Sequence, residues 1–285
     1  MEQVHSFTRY LATKKSVDDR ALNEHVRGTL AALIPTDRPL TWLEVGSGIG
    51  TMVERLYDQG LLVPGTSYTA IDVQEANITA ARERVRPLAK NVGLEIEAID
   101  CFAFAEREHG KRQWDVLVAH AFLDLVDLPT ALPQLFGLLK PGGIFYFTLN
   151  FDGLSAFLPA IDPAFDEEVM ARYHRTMDTR HINGRPSGHS HTGRRLFHQL
   201  HRAGGDILAA GASDWVVFAH NGAYPGDEAI FLHYIVDTIA GALLDEPDLD
   251  RTYFAAWIAQ RKAQIEAGTL VYIAHQLDFC GHRAP

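Results

Sequence analysis

The segment Thr41-Trp-Leu-Glu-Val-Gly-Ser-Gly-Ile-Gly-Thr51 is the most informative part of this 285-residue sequence. Its first half is apolar and strand-like, and glycines then stand at positions 46, 48 and 50 before a helical segment, 51–59. Glycine lets a backbone turn sharply and approach a ligand that a Cβ atom would repel. The free N–H groups at the start of the helix can bind a carboxylate or a phosphate. The stretch therefore predicts a strand, a ligand-binding turn and a helix.

Two further apolar segments each end in an acidic residue. The segment 68–72 ends in Asp72, and the segment 94–99 is followed by Asp100. An acid after the second strand suits the hydroxyl groups of a ribose. Because the carboxyl ends of parallel strands meet at one edge of a sheet, these acids and the glycines predict a nucleoside pocket at that edge. A simpler interpretation of Asp72 is that it caps the helix that follows, and a simpler interpretation of Asp100 is that it is a turn residue.

The spacing of the glycines discriminates between two nucleoside cofactors. A dinucleotide-binding fingerprint, Gly-x-Gly-x-x-Gly/Ala, would place Gly or Ala at position 51, where this chain has Thr51. The chain instead has Glu-x-Gly-x-Gly-x-Gly and a second acid, Asp100, after the third strand. These two differences disfavour a nicotinamide cofactor.

The order of the segments resembles that of the class I S-adenosylmethionine-dependent methyltransferases. Residues 43–50 are similar to the cofactor loop of that family, 70–72 to its ribose-binding strand end, 100–102 to its adenine contact, and 114–120 and 138–147 to its fourth and fifth strands. The similarity covers roughly residues 40–150, and a weaker similarity in the same order extends to residues 194–220 and 268–279. Five landmarks in the right order are far more specific than the glycine loop alone.

This resemblance implies an α/β fold with a doubly wound, mostly parallel seven-stranded sheet, helices on both faces and helical cap insertions. It implies S-adenosylmethionine as the cofactor and methyl transfer as the activity. Because this cofactor carries the difficult chemistry, the acceptor and the methylated atom leave little trace in the sequence. Two alternatives stay open, namely a non-catalytic S-adenosylmethionine-binding regulatory or partner protein and an NAD(P)-dependent oxidoreductase.

The same resemblance selects candidate cofactor-binding residues. Glu44 is expected to accept hydrogen bonds from the glycine loop or to lie near the sulfonium, because a buried carboxylate needs partners. Arg20, on an amphipathic N-terminal helix, is a candidate cation for the carboxylate of the cofactor. His120 follows the fourth strand, and its spacing from Asp124 suits an acid–base pair on one helical face. The full set is Arg20, Glu44, Gly46, Ser47, Gly48, Gly50, Asp72, Val73, Asp100, Cys101, Phe102 and His120.

Histidines concentrate in and before a loop rich in Gly, Ser and Pro. His181, His189 and His191 lie in the loop, and His174 lies on the predicted helix before it. Imidazole titrates near neutral pH and can remove a proton from an acceptor as the methyl group arrives. His174, His189 and His191 are therefore the candidate catalytic residues, although they could also only hydrogen-bond the cap. No metal site is expected, because the loop has no clear acidic ligand.

Composition narrows the possible partners. A net charge of −10 and a pI near 5.7 argue against a nucleic-acid substrate. The longest apolar stretch, 229–244, is too short for a membrane span, and 1–15 has no signal-peptide core. Two cysteines indicate a reducing compartment. We therefore expect a cytoplasmic protein that acts on a small organic acceptor, with no nucleic-acid or membrane partner; the oligomeric state is left open.

The distribution of strand-like, helix-like and loop-like segments along the chain predicts its domain organisation. Residues 1–150 form the cofactor-binding half with N-terminal helices, including one helix over 17–34. Residues 151–193 form a cap over the substrate, and 221–267 form a helical insertion. Residues 194–220 and 268–285 complete the sheet, with a sixth strand that joins 207–210 to 215–219 and a last strand over 270–279.

Overall fold

A computed structural model describes residues 7–182 and 184–285 of the chain. Residues 1–6 lie outside the described part of the chain. They are the first part of segment 1–15, for which no signal peptide is expected. The helices are α1 (Phe7–Thr13), α2 (Lys15–Ala21), α3 (Glu24–Leu33), α4 (Thr51–Asp58), α5 (Glu75–Val85), α6 (Cys101–Glu108), α7 (Leu128–Leu138), α8 (Pro163–Asp178), α9 (Thr192–Arg202), α10 (Glu228–Ala242) and α11 (Arg251–Glu266). Short 3₁₀ helices occupy Arg86–Lys90 and Leu123–Leu125.

The strands form one large sheet and two small ones. They are β1 (Thr41–Val45), β2 (Ser67–Asp72), β3 (Gly93–Ala98), β4 (Trp114–His120), β5 (Leu139–Thr148), β6 (Ser155–Leu158), β7 (His181–Ile182), β8 (Arg185–Pro186), β9 (Gly205–Ala212), β10 (Trp215–Val217), β11 (Val271–Ala274) and β12 (Leu277–Arg283). The large sheet has the order β3-β2-β1-β4-β5-β12-β9. Strands β1 to β5 are parallel, and β12 runs antiparallel to both β5 and β9.

Helices cover both faces of this sheet because its strands are apolar on both sides. Along β4, Val116 and Val118 belong to one buried cluster, whereas Leu117 and Ala119 belong to the other. Helices α3 and α4 contribute to the first cluster, and α6, α7 and α9 contribute to the second. Such continuous apolar strands are typical of parallel sheets that are buried on both faces. The predicted α/β fold class is thus confirmed.

The N-terminal helices differ from the expected single helix over 17–34. The chain breaks at Leu22, whose φ and ψ are −48° and 127°, and the Asn23 side chain then accepts a hydrogen bond from the Val26 N–H. An asparagine cap begins a new helix because it satisfies an N–H group that has no partner within the helix. The 17–34 prediction was therefore wrong, and α2 and α3 are separate helices.

A second sheet forms where the sixth and last strands were expected to stay in the main sheet. The chain leaves β9, turns at Ser213 and continues as β10, while β11 returns and turns at Gln276 into β12. Strands β10, β11 and β6 form an antiparallel three-stranded sheet. The expected sixth strand is thus two strands, with β9 in the large sheet and β10 in the second one. The expected last strand is divided in the same way, with β12 in the large sheet and β11 in the second one.

This second sheet packs with helices α8, α10 and α11 around a core of its own. Phe157 of β6, Trp215 of β10, Tyr272 of β11, Phe231 of α10 and Trp257 of α11 are all buried in it. Residues 151–193 and 221–267, which the sequence presents as separate insertions, therefore contribute to one apolar core. We call this unit, made of β6, β10, β11, α8, α10 and α11, the cap. No helix in the described part of the chain is both long and apolar enough to cross a bilayer.

Candidate functional site

The glycine loop between β1 and α4 has the backbone that its sequence predicts. Gly46, Gly48 and Gly50 have φ values of 66°, 53° and 77°, a region that other residues rarely adopt. A Cβ atom on Gly46 would meet the Phe122 ring at 2.5 Å, and one on Gly48 would lie 3.2 Å from Leu11. Other residues would therefore be strained in this loop, which is also closely covered by Leu11 of α1 and by Phe122 in the segment after β4.

Asp72 ties the end of β2 to this loop. One of its carboxylate oxygens accepts a hydrogen bond from the Gly48 N–H at 2.9 Å, and the other accepts from the Gln74 N–H at 2.8 Å. The Asn77 amide also approaches the second oxygen at 3.2 Å. A carboxylate has about four lone-pair sites, so Asp72 retains the capacity to bind ribose hydroxyls. The adjacent Val73 side chain is 67% exposed, an apolar surface that a ligand could cover.

Asp100 begins α6 as its N-cap. Both of its described hydrogen bonds, from the Phe102 and Ala103 N–H groups at 2.9 and 3.1 Å, go to the same oxygen. Asp100 is thus a helix cap, whereas the sequence presented it as a turn residue or an adenine contact, and a role in adenine binding stays a prediction. Phe102 packs partly buried on the core, and burial raises the pKa of the Cys101 thiol to about 12.

Glu44 is buried near the end of β1, and the Tyr68 hydroxyl donates a hydrogen bond to it at 2.8 Å. Burial raises its pKa to about 8, while the Tyr68 hydrogen bond and the charge of Arg55 oppose that increase. The described partner is therefore a tyrosine on β2 and not an N–H group of the glycine loop, which was one of two expectations for Glu44. A carboxyl group with a raised pKa would gain from a cationic ligand.

A buried ionic cluster lies between α2, α4 and the end of β4. The Asp18 carboxylate is 3.2 Å from His120 Nε2, 3.3 Å from Lys14 Nζ and 3.5 Å from Arg55 Nη2. It also accepts a hydrogen bond from the Trp215 indole at 3.0 Å. Burial lowers the pKa of His120 to about 4, so this imidazole is neutral at physiological pH. His120 therefore pairs with Asp18 and with Thr148, not with Asp124 as its spacing predicted.

Arg20 lies away from this cluster. Its guanidinium makes two hydrogen bonds to the buried Glu228 of α10, at 2.6 and 3.0 Å. Bidentate pairs of this kind are the strongest that arginine forms with a carboxylate. A different cation, Arg55, contacts the end of the glycine loop, because its Nη1 lies 3.4 Å from the Thr51 hydroxyl. The sequence did not single out Arg55, because it lies in no recognisable motif.

His189 and His191 come together in the loop before α9. His189 Nδ1 accepts a hydrogen bond from the His191 N–H at 3.0 Å and lies 3.1 Å from the Asp178 carboxylate. The His191 ring lies against Gly153, where a Cβ atom would be 2.4 Å from it. These contacts hold the loop on α8 and on the segment after β5. A catalytic role for the two histidines stays a prediction.

Unpartnered buried polar atoms occur where the cap meets the carboxyl ends of β4 and β5. They include Asp124 Oδ1, Asn150 Oδ1 and His174 Nε2, together with Ser47 Oγ in the glycine loop. The His174 ring packs on Phe151 at 4.8 Å between centroids, and burial lowers its pKa to about 4. Such atoms carry a desolvation cost unless a ligand or water satisfies them. They therefore mark candidate ligand contacts.

The glycine loop and its surroundings fit S-adenosylmethionine. Glycines that a Cβ atom would crowd, an unpartnered Ser47 hydroxyl and free N–H groups at the start of α4 suit close contact with the amino-acid part of a ligand. Asp72 and Asp100 lie at the next two strand ends in the sheet. Within the described residues, no group of three or more His, Cys, Asp or Glu side chains is placed to hold a metal ion.

Comparison with known proteins agrees with this assignment. Residues 43–145 match a family model described as a methyltransferase domain. No curated protein matches the chain in sequence.

Solved structures share the fold at low sequence identity. A Bacillus halodurans protein described as a methyltransferase is 12% identical and has a TM-score of 0.53, over 90% of this chain and 98% of that one. The YcgJ protein of Bacillus subtilis is 11% identical and has a TM-score of 0.51, over 92% and 100%. A Haemonchus contortus phosphoethanolamine N-methyltransferase, solved with phosphomonomethylethanolamine and S-adenosylhomocysteine, is 12% identical and has a TM-score of 0.50, over 99% and 59%.

Proposed function

We propose that this chain, which carries a class I S-adenosylmethionine-dependent methyltransferase domain, methylates a small organic acceptor held between the cap and the carboxyl ends of β4 and β5. The observation that supports the acceptor's position is the unpartnered, buried Asp124 Oδ1 at the start of the segment after β4. Arg180 and Ser187, from the loop after α8, bond to the carbonyls of Asp124 and Leu125 in this segment, so the site is covered and suits a small molecule more than a macromolecule.

The cofactor is held, in this proposal, by the residues that the sequence selected around the glycine loop. Gly46, Gly48 and Gly50 allow close backbone approach, Asp72 accepts hydrogen bonds from the ribose, and Asp100 binds the adenine beside Phe102. Arg55 supplies the positive charge nearest the loop, in place of Arg20, which is paired with Glu228. When bound, S-adenosylmethionine supplies a methyl group on a sulfonium, which is already an activated leaving group.

Asp124 is the proposed proton acceptor. Burial raises the pKa of this carboxyl group, and the charges of Lys14 and Arg180 partly offset that increase. A carboxylate with a raised pKa is better matched to take a proton near neutral pH. His174, whose lowered pKa keeps it neutral, serves in the proposal as a hydrogen-bond partner of the acceptor. The cap excludes water, and the two side chains orient the nucleophile.

Substitution of Asp124 tests this assignment. Asp124→Asn keeps the shape of the side chain and removes no described hydrogen bond from its Oδ1 atom. We expect methyl transfer to a panel of small amines, alcohols, thiols and acids to fall by about 10²–10⁴-fold, the usual range for a positioned acid–base group. S-adenosylhomocysteine release reports transfer, and S-adenosylhomocysteine binding to the variant should match that of the parent.

Asp245→Asn, the same change at an exposed position after α10, is the matched control and should leave transfer unchanged. Undiminished transfer in Asp124→Asn would contradict the proton-acceptor role. If methyl transfer is lost in the double variant His189→Ala/His191→Ala but not in Asp124→Asn, the proton acceptor is one of these two histidines and not Asp124. A protein that binds S-adenosylhomocysteine but methylates nothing across the panel would favour the non-catalytic alternative.

The cellular location is also part of the proposal. Cys101 and Cys280 are both free and buried, which is consistent with a reducing compartment. We therefore propose a cytoplasmic enzyme, and subcellular fractionation tests that location.

A further inference from the structure

The second sheet, made of β10, β11 and β6, has two apolar faces, and the core of the cap covers only one of them. On the covered face, Trp215, Val217, Phe157, Tyr272 and Ala274 are all buried. Because side chains alternate between the two faces of a strand, the residues between these five point the other way. Antiparallel sheets commonly carry polar side chains on the face that points away from the core.

The face that points away from the core is apolar as well. Val216 of β10 lies beside Ile273 of β11, which lies beside Ala156 of β6, and in the next row Val271 lies beside Leu158. One more apolar residue follows β10 and one precedes β6. We call this surface the outer face, and it consists of Leu154, Ala156, Leu158, Val216, Phe218, Val271 and Ile273.

Four side chains of the outer face are strongly exposed. Leu154, Leu158, Val216 and Phe218 are 50%, 46%, 45% and 41% exposed, and the other three are partly buried. Together the seven residues form a contiguous apolar patch of roughly 400–500 Å². Exposed apolar patches of this size are often functional contact surfaces.

Charge favours a second copy of the chain as the partner of this surface. None of its seven residues is charged, and His275 and Asp214, at the adjoining strand ends, form an ion pair within the chain at 2.8 Å. The chain carries a net charge of −10, so two copies repel each other wherever their charged surfaces meet. On the outer face two copies can meet without this repulsion, whereas a charged partner finds no charge to bind there.

The arrangement of the strands makes the outer face complementary to itself. Strand β11 lies in the centre, between β10 and β6. A two-fold axis along β11 places β10 of each copy over β6 of the other, so the larger Val216 meets the smaller Ala156. Sheets that pack face to face in this way lie about 10 Å apart, with their strands at about 30°. Pairing of strand edges is less favourable, because β10 and β6 have only three and four residues.

We propose that the chain forms a symmetric dimer in which the outer faces of the two copies pack against each other. The contact removes roughly 800–1,000 Å² of surface from water in total, which is the size of a weak, reversible interface. Each residue of the contact is used twice, as in other two-fold symmetric dimers. The inference is independent of the proposed function, because the dimer needs neither the cofactor nor the acceptor.

Sedimentation velocity across a series of protein concentrations tests the dimer. The parent should change from monomer to dimer as its concentration rises. Val216→Asp places an unpaired charge in the contact and should raise the dissociation constant by about 100-fold or more. Leu208→Asp is the matched control, because Leu208 is also 45% exposed but lies on β9 of the large sheet, and it should leave the dissociation constant unchanged. Melting curves confirm that both variants are folded.

Cross-linking tests the two-fold arrangement with a milder change. Ile273 lies on the central strand, so the two-fold axis brings it close to its own image. Ile273→Cys should therefore give a covalent dimer with a bis-maleimide that spans about 10 Å, the distance between packed sheets. The native Cys101 and Cys280 are buried, and the parent should not react. Leu208→Cys is the control and should remain a monomer after the same treatment.

Three results would overturn the inference. One is a parent that stays monomeric at every concentration, which leaves the outer face to a different partner. Another is a dimer that Val216→Asp weakens no more than Leu208→Asp does. The third is cross-linking of Ile273→Cys that does not exceed that of Leu208→Cys. None of these results affects the proposed function, which S-adenosylhomocysteine binding and methyl transfer test separately.

Discussion

The carboxylate of Asp18 lies 3.2 Å from Nε2 of His120, although the two residues are 102 positions apart in the chain. This contact joins α2 to the end of β4, where the cofactor and the acceptor are proposed to meet. Burial lowers the pKa of His120 to about 4, and Asp18 carries a depressed pKa among its cationic neighbours in spite of its burial. The arrangement makes the N-terminal helices part of the site.

The first prediction follows from the pKa of His120. Unfolded histidine binds a proton near pH 6.5, whereas the buried imidazole does not until about pH 4. Between these values the unfolded state holds more protons, so stability falls as the pH falls. His120→Gln removes this contribution, which amounts to up to about 3 kcal/mol. Urea unfolding from pH 4 to 7 checks it, and parallel stability profiles for parent and variant would rule it out.

For Asp278 we expect the opposite dependence of stability on pH. This carboxyl is buried, accepts hydrogen bonds from the Asn23 N–H and the Ser213 hydroxyl, and has a pKa that burial raises to about 7. Between about pH 4 and 7 the folded state keeps a proton that the unfolded state has released, so stability falls as the pH rises. Relative to the parent, Asp278→Asn should become more stable across this range by up to about 4 kcal/mol.

The same unfolding series measures this difference. Asp245→Asn, at an exposed position, serves as the control and should show no such trend. A stability difference between Asp278→Asn and the parent that stays constant with pH would mean that Asp278 is ionised in the folded protein throughout.

The glycine loop gives a third prediction. Gly48 has a φ of 53°, and its missing Cβ would lie 3.2 Å from Leu11. A β-branched residue at positive φ is strained and would also fill the space that the cofactor needs. Gly48→Val should therefore weaken S-adenosylhomocysteine binding by about 100-fold or more, about 3 kcal/mol, while circular dichroism stays close to that of the parent. If the variant binds S-adenosylhomocysteine as tightly as the parent, the glycines only form a tight turn and do not make room for the cofactor.

Two arginines provide a matched pair. Arg55→Gln removes the buried charge beside the glycine loop and should weaken S-adenosylhomocysteine binding by about 10–100-fold, the range for a charge-assisted hydrogen bond. Arg20→Gln removes a side chain that is 49% exposed and paired with Glu228, so it should leave binding nearly unchanged. Calorimetry on both variants, with melting curves to confirm folding, distinguishes them. The reverse order of effects would restore Arg20 as the cofactor ligand.

Local signals explain how much of this could be predicted from the sequence. The glycines, Asp72 and the alternation of strands and helices each leave a short-range pattern, and the main sheet and the cofactor loop follow from them. Asp100, which the sequence presents as an adenine contact or a turn residue, is the N-cap of α6.

Long-range contacts account for what could not be predicted. The Arg20–Glu228 pair spans 208 residues, and no local feature of α10 indicates that Glu228 is buried. The division of 205–217 and 271–283 between two sheets depends on turns at Ser213 and Gln276, whose bonds form only when the two segments pair. Asp124 and Arg180 likewise become neighbours only when the loop after α8 packs on the segment after β4.

Calorimetric titration of the parent and of Asp72→Ala with S-adenosylhomocysteine and with NAD is the measurement that separates the two nucleoside cofactors. We expect the parent to bind S-adenosylhomocysteine and not to bind NAD. Asp72→Ala should weaken S-adenosylhomocysteine binding by about 2–4 kcal/mol, because the Asp72 carboxylate bonds to the Gly48 N–H and is proposed to bind both ribose hydroxyls. Tight binding of NAD that is lost in Asp72→Ala would contradict the proposed cofactor.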